Sequence, residues 1–206
     1  DTDPEFLFEE IPVAVEQTLE GVSRVRKIVQ SMKEFSHPGN DEKTAVDLHH
    51  IIENTVTVAI NEWKYCADLT LDFDPDMPEV SCDASAMSQV FLNLIINAAH
   101  AIIAKKGSNN TGKGTIRIST RKEERWVEIR IADTGTGIPE NIIEKVFDPF
   151  FTTKEVGKGT GQGLAISRSV IVDRHKGRLD IETEPGEGTC FIIKLPLNTP
   201  IRREGK

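Results

Sequence analysis

Asn93 and Asn97 stand four residues apart in an otherwise apolar run, Phe91 to Ile103. Four helical steps come to slightly more than one turn, so a helix here lines the two carboxamides up on one face. Phe91, Leu94, Ile95, Ala98 and Ile102 recur at helical spacing and form a buried stripe beside them. An amide buried without a partner is costly. The pair therefore either hydrogen-bonds to neighbouring loops or strands, or turns its oxygens toward a hard cation such as Mg²⁺.

Three further stretches carry groups of the same kind. Asp133 follows the alternating run Val127 to Ile131 and precedes Gly135, Gly137 and Ile138. A carboxylate at a strand end beside G-x-G can accept hydrogen bonds from a ligand, or it can merely cap a turn. Phe147, Phe150 and Phe151 flank a polar loop that ends at Lys154, a pattern that suits a flap as well as a loop anchored by its aromatics. Gly157, Gly159, Gly161 and Gly163, with Thr160 among them and Leu164 after them, lead into a helix. Exposed backbone N–H groups and a helix N-terminus favour anions, although glycines also make plain connectors. The pattern is neither a Walker A loop nor a strand-borne G-x-G-x-x-G.

The elements that must hold these groups read as follows. Ile11, Val15, Leu19, Val22, Val25, Val29 and Met32 form a coiled-coil-like seam in a long N-terminal helix that stops at Ser36 to Gly39. Thr44 to Leu48 reads as a short strand, with Asp47 able to cap a helix from His49 to about Trp63. Leu69 to Phe73 alternates like a strand, and Asp83 suits the N-cap of the asparagine helix. Thr115 to Thr120 and Trp126 to Ile131 form an antiparallel hairpin. A helix covers Gly163 to about Asp173, and strands Arg178 to Glu182 and Thr189 to Leu195 flank the turn Pro185 to Gly188. The expected fold is α+β, a two-layer sandwich whose mixed, largely antiparallel sheet is covered on one face by helices.

Composition narrows the function classes. The 206 residues carry 25 basic and 33 acidic side chains, net −8, which argues against a broad nucleic-acid surface. No uninterrupted apolar run approaches the ~18 residues of a membrane span, so no membrane contact is expected of this stretch. Cys66, Cys82 and Cys190 are too few and too scattered for a zinc site or a disulfide framework and read as reduced thiols of a cytoplasmic protein. Asp1 to Phe6 reads as a loose leader.

Taken together, N-x-x-x-N, D-x-G-x-G, F-D-P-F-F-x-x-K and G-x-G-x-G-L-A-I-S occur once each and in that order. The set resembles the ATP-binding catalytic domain of sensor histidine kinases, within the Bergerat-fold superfamily. The resemblance implies Asn97 as principal Mg²⁺ ligand with Asn93 assisting, and Asp133 on the exocyclic amine of adenine. It implies Gly135, Gly137 and Ile138 around the base, with Thr189 joining through its hydroxyl or a bound water. Gly159, Thr160, Gly161, Gly163 and Leu164 would wrap the phosphates, with His100 nearby and Lys154 approaching the γ-phosphate from a mobile lid spanning 139–160. Asn93 and Lys154 would be the catalytic pair. Residues 1–38 resemble the second helix of a dimerisation and phosphotransfer hairpin, 39–44 a linker, 45–198 the catalytic domain and 199–206 a tail. None of His37, His49, His50, His100 and His175 is followed by glutamate, so the phosphate-accepting histidine is expected outside this chain. The implied partners are a response-regulator receiver domain and a second copy of the parent protein, joined through the hairpin. The chain would belong to a soluble kinase or to the cytoplasmic part of a membrane-bound sensor. A nucleotide-gated interaction module, or a Bergerat-fold ATPase without histidine phosphotransfer, is the alternative. Hydrolytic relatives resemble one another in a glutamate base at the position of Asn93, and an asparagine cannot take a proton from water.

Overall fold

A computed structural model describes Ile11, Val15, Thr18 and residues 43–106, 112–154 and 159–197. The chain divides into two compact units, Asp1–Asn40 with Thr152–Thr160, and Asp41–Phe151 with Gly161–Lys206. In the first unit Ile11, Val15 and Thr18 are helical, and Ile11 and Val15 are exposed. The remainder of the N-terminal helix, its stop at Ser36 to Gly39, the leader and the tail lie outside the described residues.

The second unit runs β1 (Thr44–Val46), α1 (Leu48–Val58), α2 (Ile60–Trp63), β2 (Ala67–Asp72), β3 (Val80–Cys82) and α3 (Ala84–Lys106). The hairpin β4 (Gly114–Lys122) and β5 (Trp126–Asp133) follows, then a 3-10 segment, Glu140–Phe147. After α4 (Gly163–Arg168) and a π-helical segment, Ser169–Arg174, the described part ends in the hairpin β6 (Arg178–Glu184) and β7 (Gly188–Pro196).

Five strands form one mixed sheet in the order β2-β4-β5-β7-β6. Only β2 and β4 pair in parallel, Ala67 opposite Gly114; the other three pairings are antiparallel. Alternate residues Ile116 and Ile118, Val127, Ile129 and Ile131, and Phe191, Ile193 and Leu195 point into the core. There they meet Met87, Phe91, Leu94, Ile95 and Ile102 of α3 and Leu48 and Ile52 of α1. The opposite face is polar: Arg117 and Arg121 pair with Asp72, Arg130 with Glu182 and Glu128, and Lys194 with Glu123 and Glu128. One buried and one solvated face is the usual state of an antiparallel sheet, and the α+β two-layer expectation holds.

Local differences from the sequence reading have identifiable causes. The strand expected over Thr44 to Leu48 stops at Val46, because the Asp47 carboxylate accepts the His49 and His50 N–H groups (2.9 and 3.3 Å) and starts α1 at the fully buried Leu48. The helix expected to run to Trp63 breaks at Ala59, whose N–H bonds back to Thr55. Strand β3 was not foreseen; it pairs with β1 in a separate two-stranded sheet. The helix from Gly163 changes to π geometry at Ser169. The turn before β7 closes at Glu187, and Gly188 already pairs in the strand. Helix α3 is long and apolar enough to cross a membrane by composition, with mean hydropathy 1.5 over an 18-residue window, half of it buried. Its apolar side chains are those of the core. Asp83 caps it as expected, accepting the Ala86 N–H at 3.0 Å.

Candidate functional site

Two glycine loops lie against one stripe of α3. A Cβ on Gly163 would stand 3.4 Å from Cγ of Asn93, and the Asn93 Nδ2 donates to the Gly163 carbonyl at 3.2 Å. A Cβ on Gly135 would run into Ala101 of the same helix. Asn93, Asn97 and Ala101 are successive four-residue steps on one face. Asn97 therefore stands between the two loops, about 6 Å along the helix axis from each flanking residue. Asn97 and His100 are both half-buried. The helix stripe that carries the amide pair thus runs from the Gly163 segment, at Asn93, to the loop after Asp133, at Ala101.

Asp133 ends β5 on its inner face, 9% exposed, opposite Thr189 of β7, which is 5% exposed. Its Oδ1 accepts the Gly135 N–H at 2.7 Å. Burial pushes its carboxyl from 3.8 up to about 6; hydrogen bonds from the Gly135 and Thr189 N–H groups and the charge of Lys105 offset this only in part. Desolvation of the charged form dominates. The loop beyond Asp133 is closed from several sides. Gly137 has φ +67° and lies against the Glu184 carbonyl, where a side chain would collide. The Ile138 N–H donates to Thr183 Oγ1 at 2.9 Å, and the Gly186 N–H to the Thr136 carbonyl at 2.7 Å. Lys105, at the end of α3, donates to the Thr134 carbonyl at 3.0 Å.

On the other side, Gly161 has φ +65° and exchanges backbone contact with Phe150, whose N–H reaches the Gly161 carbonyl at 2.9 Å. Phe150 itself has φ +70° and is 59% exposed. The Arg168 guanidinium lies 5.4 Å from the centroid of the Phe147 ring. Leu164 packs on the core. Lys154, Gly159 and Thr160 belong to the other unit. There the Lys154 N–H donates to Thr152 Oγ1 at 3.2 Å, and Gly159 lies beside Thr152 and Lys154. Residues 155–158, including Gly157, are outside the described part.

Among the described residues no three His, Cys, Asp or Glu side chains group as a metal site. The oxygen donors on the helix stripe are the carboxamides of Asn93 and Asn97. Two neutral oxygens suit a cation that keeps several waters and takes its remaining ligands from phosphate. Sequence reasoning missed Thr183, Lys105 and Ala101. Thr183 stands on the inner face of β6 opposite Thr189; its alternation was legible, its partners were not.

Residues 82–199 match the family of histidine kinase-, DNA gyrase B-, and HSP90-like ATPases. The chain belongs to that family. The catalytic domain of the histidine kinase ThkA superposes with a TM-score of 0.64 at 31% identity, over 77% of this chain and 99% of that one. ThkA in complex with the response regulator protein TrrA aligns over 98% of this chain and 55% of that one, with 29% identity and a TM-score of 0.66. The signal transduction histidine-protein kinase AtoS of Escherichia coli is 35% identical over 182 residues, 87% of this chain and 28% of AtoS. The sensory histidine kinase/phosphatase NtrB of Vibrio alginolyticus is 33% identical over 87% of this chain and 51% of NtrB. The chain thus spans about a quarter to a half of these two relatives. Within the ATPase family its similarity is to the ATP-binding catalytic domain of sensor histidine kinases.

Proposed function

We propose that this chain is the catalytic portion of a protein-histidine kinase. It takes up Mg·ATP and delivers the γ-phosphate to a histidine outside the chain, for relay to an aspartate on a response-regulator receiver domain. The observation that carries this reading is the α3 stripe on which Asn97 stands between the Gly163 loop and the Asp133 loop. Adenine meets the Asp133 carboxylate and the Thr189 hydroxyl, with Gly135, Gly137 and Ile138 giving room around the base. Asn97 holds Mg²⁺ with help from Asn93, whose Nδ2 is directed to the Gly163 carbonyl, leaving Oδ1 for the cation or phosphates. Gly159, Thr160, Gly161, Gly163 and Leu164 wrap the phosphates, His100 stands near them, and Lys154 meets the γ-phosphate as a point charge. The bound metal neutralises phosphate charge, and the protein contributes positioning. Asn93 supplies no general base, so bound ATP waits for a nucleophile other than water.

In the parent protein, residues 1–38 form the second helix of a dimerising hairpin. Ile11 and Val15, helical, exposed and four residues apart, support such a seam. The ThkA–TrrA complex supports a receiver domain as the kind of partner, and a cytoplasmic site follows from that partnership. The test is transfer of labelled γ-phosphate from ATP to the parent protein carrying the complete hairpin. Acid-labile, base-stable phosphoprotein is the expected product; ATP binding with no labelled protein would leave a nucleotide-gated module instead.

A further inference from the structure

Thr183 Oγ1 has three hydrogen-bonding neighbours, Ile138, Gly188 and Thr189, and the directions of these bonds can be worked out. A threonine hydroxyl has one proton to donate and two lone pairs to accept with. Thr183 Oγ1 donates to the Gly188 carbonyl at 3.0 Å and accepts the Ile138 N–H at 2.9 Å. Its one remaining polar neighbour among the hydrogen bonds described is Thr189 Oγ1, at 3.0 Å. With the Thr183 proton engaged on Gly188, the proton between the two hydroxyls must come from Thr189. That leaves Thr189 with acceptor lone pairs only. Beside it stands the Asp133 carboxylate, another pure acceptor when ionised, with its Oδ1 already taking the Gly135 N–H.

We infer that Thr183 is a positioning residue for base recognition: by holding the Thr189 proton away from the pocket it makes the recognition end of the site acceptor-only, and so selective for a purine bearing a 6-amino group over one bearing a 6-oxo group. The inference rests on the nucleotide reading above and deepens it. An exocyclic amine offers two N–H donors to such a site. A 6-oxo group presents a further acceptor and leaves the Thr189 and Asp133 lone pairs facing lone pairs. Sites built to hydrogen-bond one partner reject its isostere strongly because their own buried polar groups are then left unpaired. If Thr189 could turn its proton toward the ligand, it would serve a 6-oxo purine as a donor, and discrimination would fall. Thr183 also fixes the Ile138 amide, so the same hydroxyl sets the height of the loop above the base.

The test compares ATP with inosine triphosphate, which differs in the 6-substituent, and inorganic triphosphate with Mg²⁺ as a base-free probe. Thr183→Val keeps the β-branched shape on the edge strand β6 and removes the hydroxyl; Thr183→Ser keeps the hydroxyl. Calorimetric titration should show the Val protein binding ATP about tenfold more weakly, with its ATP-to-inosine-triphosphate preference reduced about fivefold or more. Triphosphate affinity should stay within twofold, and Ser should keep the wild-type preference. In a Thr189→Val background, Thr183→Val should no longer change the preference, because the proton it directs is gone. The inference is overturned by an unchanged preference in Thr183→Val, by an equal loss in the Thr189→Val background, by Ser behaving as Val, or by a Val protein that fails to fold. A wild-type protein that binds neither nucleotide would instead overturn the nucleotide reading itself.

Discussion

Replacing Asp133 by asparagine should make the nucleotide-free catalytic unit more stable while weakening its hold on ATP. Burial holds the Asp133 carboxyl up at about 6, against an ordinary value of 3.8. A raised folded pKa stabilises the fold fully below pH 3.8, and that contribution is lost as pH rises through about 6. At neutral pH the buried charge therefore costs roughly 3 kcal/mol, from about 1.4 kcal/mol per pH unit over about two units. Asparagine removes the charge but has one oxygen for the two N–H groups, of Gly135 and Thr189, that bond to this carboxylate. Losing one such bond returns about 1 kcal/mol. The net gain is about 2 kcal/mol, or a melting temperature higher by about 4–8 °C for a domain of this size.

Thermal unfolding of wild type and Asp133→Asn without nucleotide, in steps from pH 4 to pH 8, measures this directly. The two proteins should melt nearly together at pH 4, and the variant's advantage should open through about pH 6 and then level off. Titration with Mg·ATP should show the opposite ranking, with the variant weaker by roughly a hundredfold, the scale of a lost charge-assisted hydrogen bond. Wild-type affinity should itself fall as pH drops through about 6, where the carboxylate becomes protonated. A variant that is less stable at pH 7.5, or an advantage that is the same at every pH, would refute the assignment of strain to this buried charge.

Asn97→Ala should abolish the Mg²⁺ dependence of ATP binding; calorimetry with and without Mg²⁺ that still shows the wild-type difference would remove Asn97 from the metal. Asn93→Glu replaces the amide on the Gly163 carbonyl with a carboxylate able to take a proton from water. Phosphate release should rise by roughly 10²-fold, the lower range for a positioned general base, and an unchanged rate would show that position 93 does not face the γ-phosphate. His175 is buried between the Val170 carbonyl, to which its Nδ1–H donates at 2.8 Å, and the Asp83 N–H, which donates to its Nε2 at 3.0 Å. Burial holds its pKa below 6.5, with Lys43 and Arg174 adding to the depression and Asp83 opposing it. The unfolded chain binds that proton first, so stability should fall as pH drops below about 6.5. Denaturant titrations at pH 5.5 and 7.5 should show a smaller difference for His175→Gln, and an equal difference would exclude His175 as its source.

The parts of this molecule legible in its sequence are those whose signal is local. The inner faces of β4, β5 and β7 alternate residue by residue, and Asn93 and Asn97 announce their shared face by a four-residue step. Asp133 stands out because it puts a carboxylate on the otherwise apolar inner face of β5, just before G-x-G. The features that escaped depend on partners distant in the chain. Val80–Cys82 is a strand only because Thr44–Val46 pairs with it, and three residues are too few to show a period. Ala101 is one more alanine in a helix until Gly135 is found against it. Thr183 gathers Ile138 from a loop and Gly188 and Thr189 from the neighbouring strand. The division has a physical basis. A group that touches a ligand must be of a particular chemical type, so its identity is conspicuous in the sequence. A group that aims another needs only one hydroxyl or one missing Cβ at the right point in space, and that point is fixed by pairing and packing. The direction of a single proton between Thr183 and Thr189 is therefore invisible in the chain, yet it decides whether the pocket offers its ligand a donor or an acceptor.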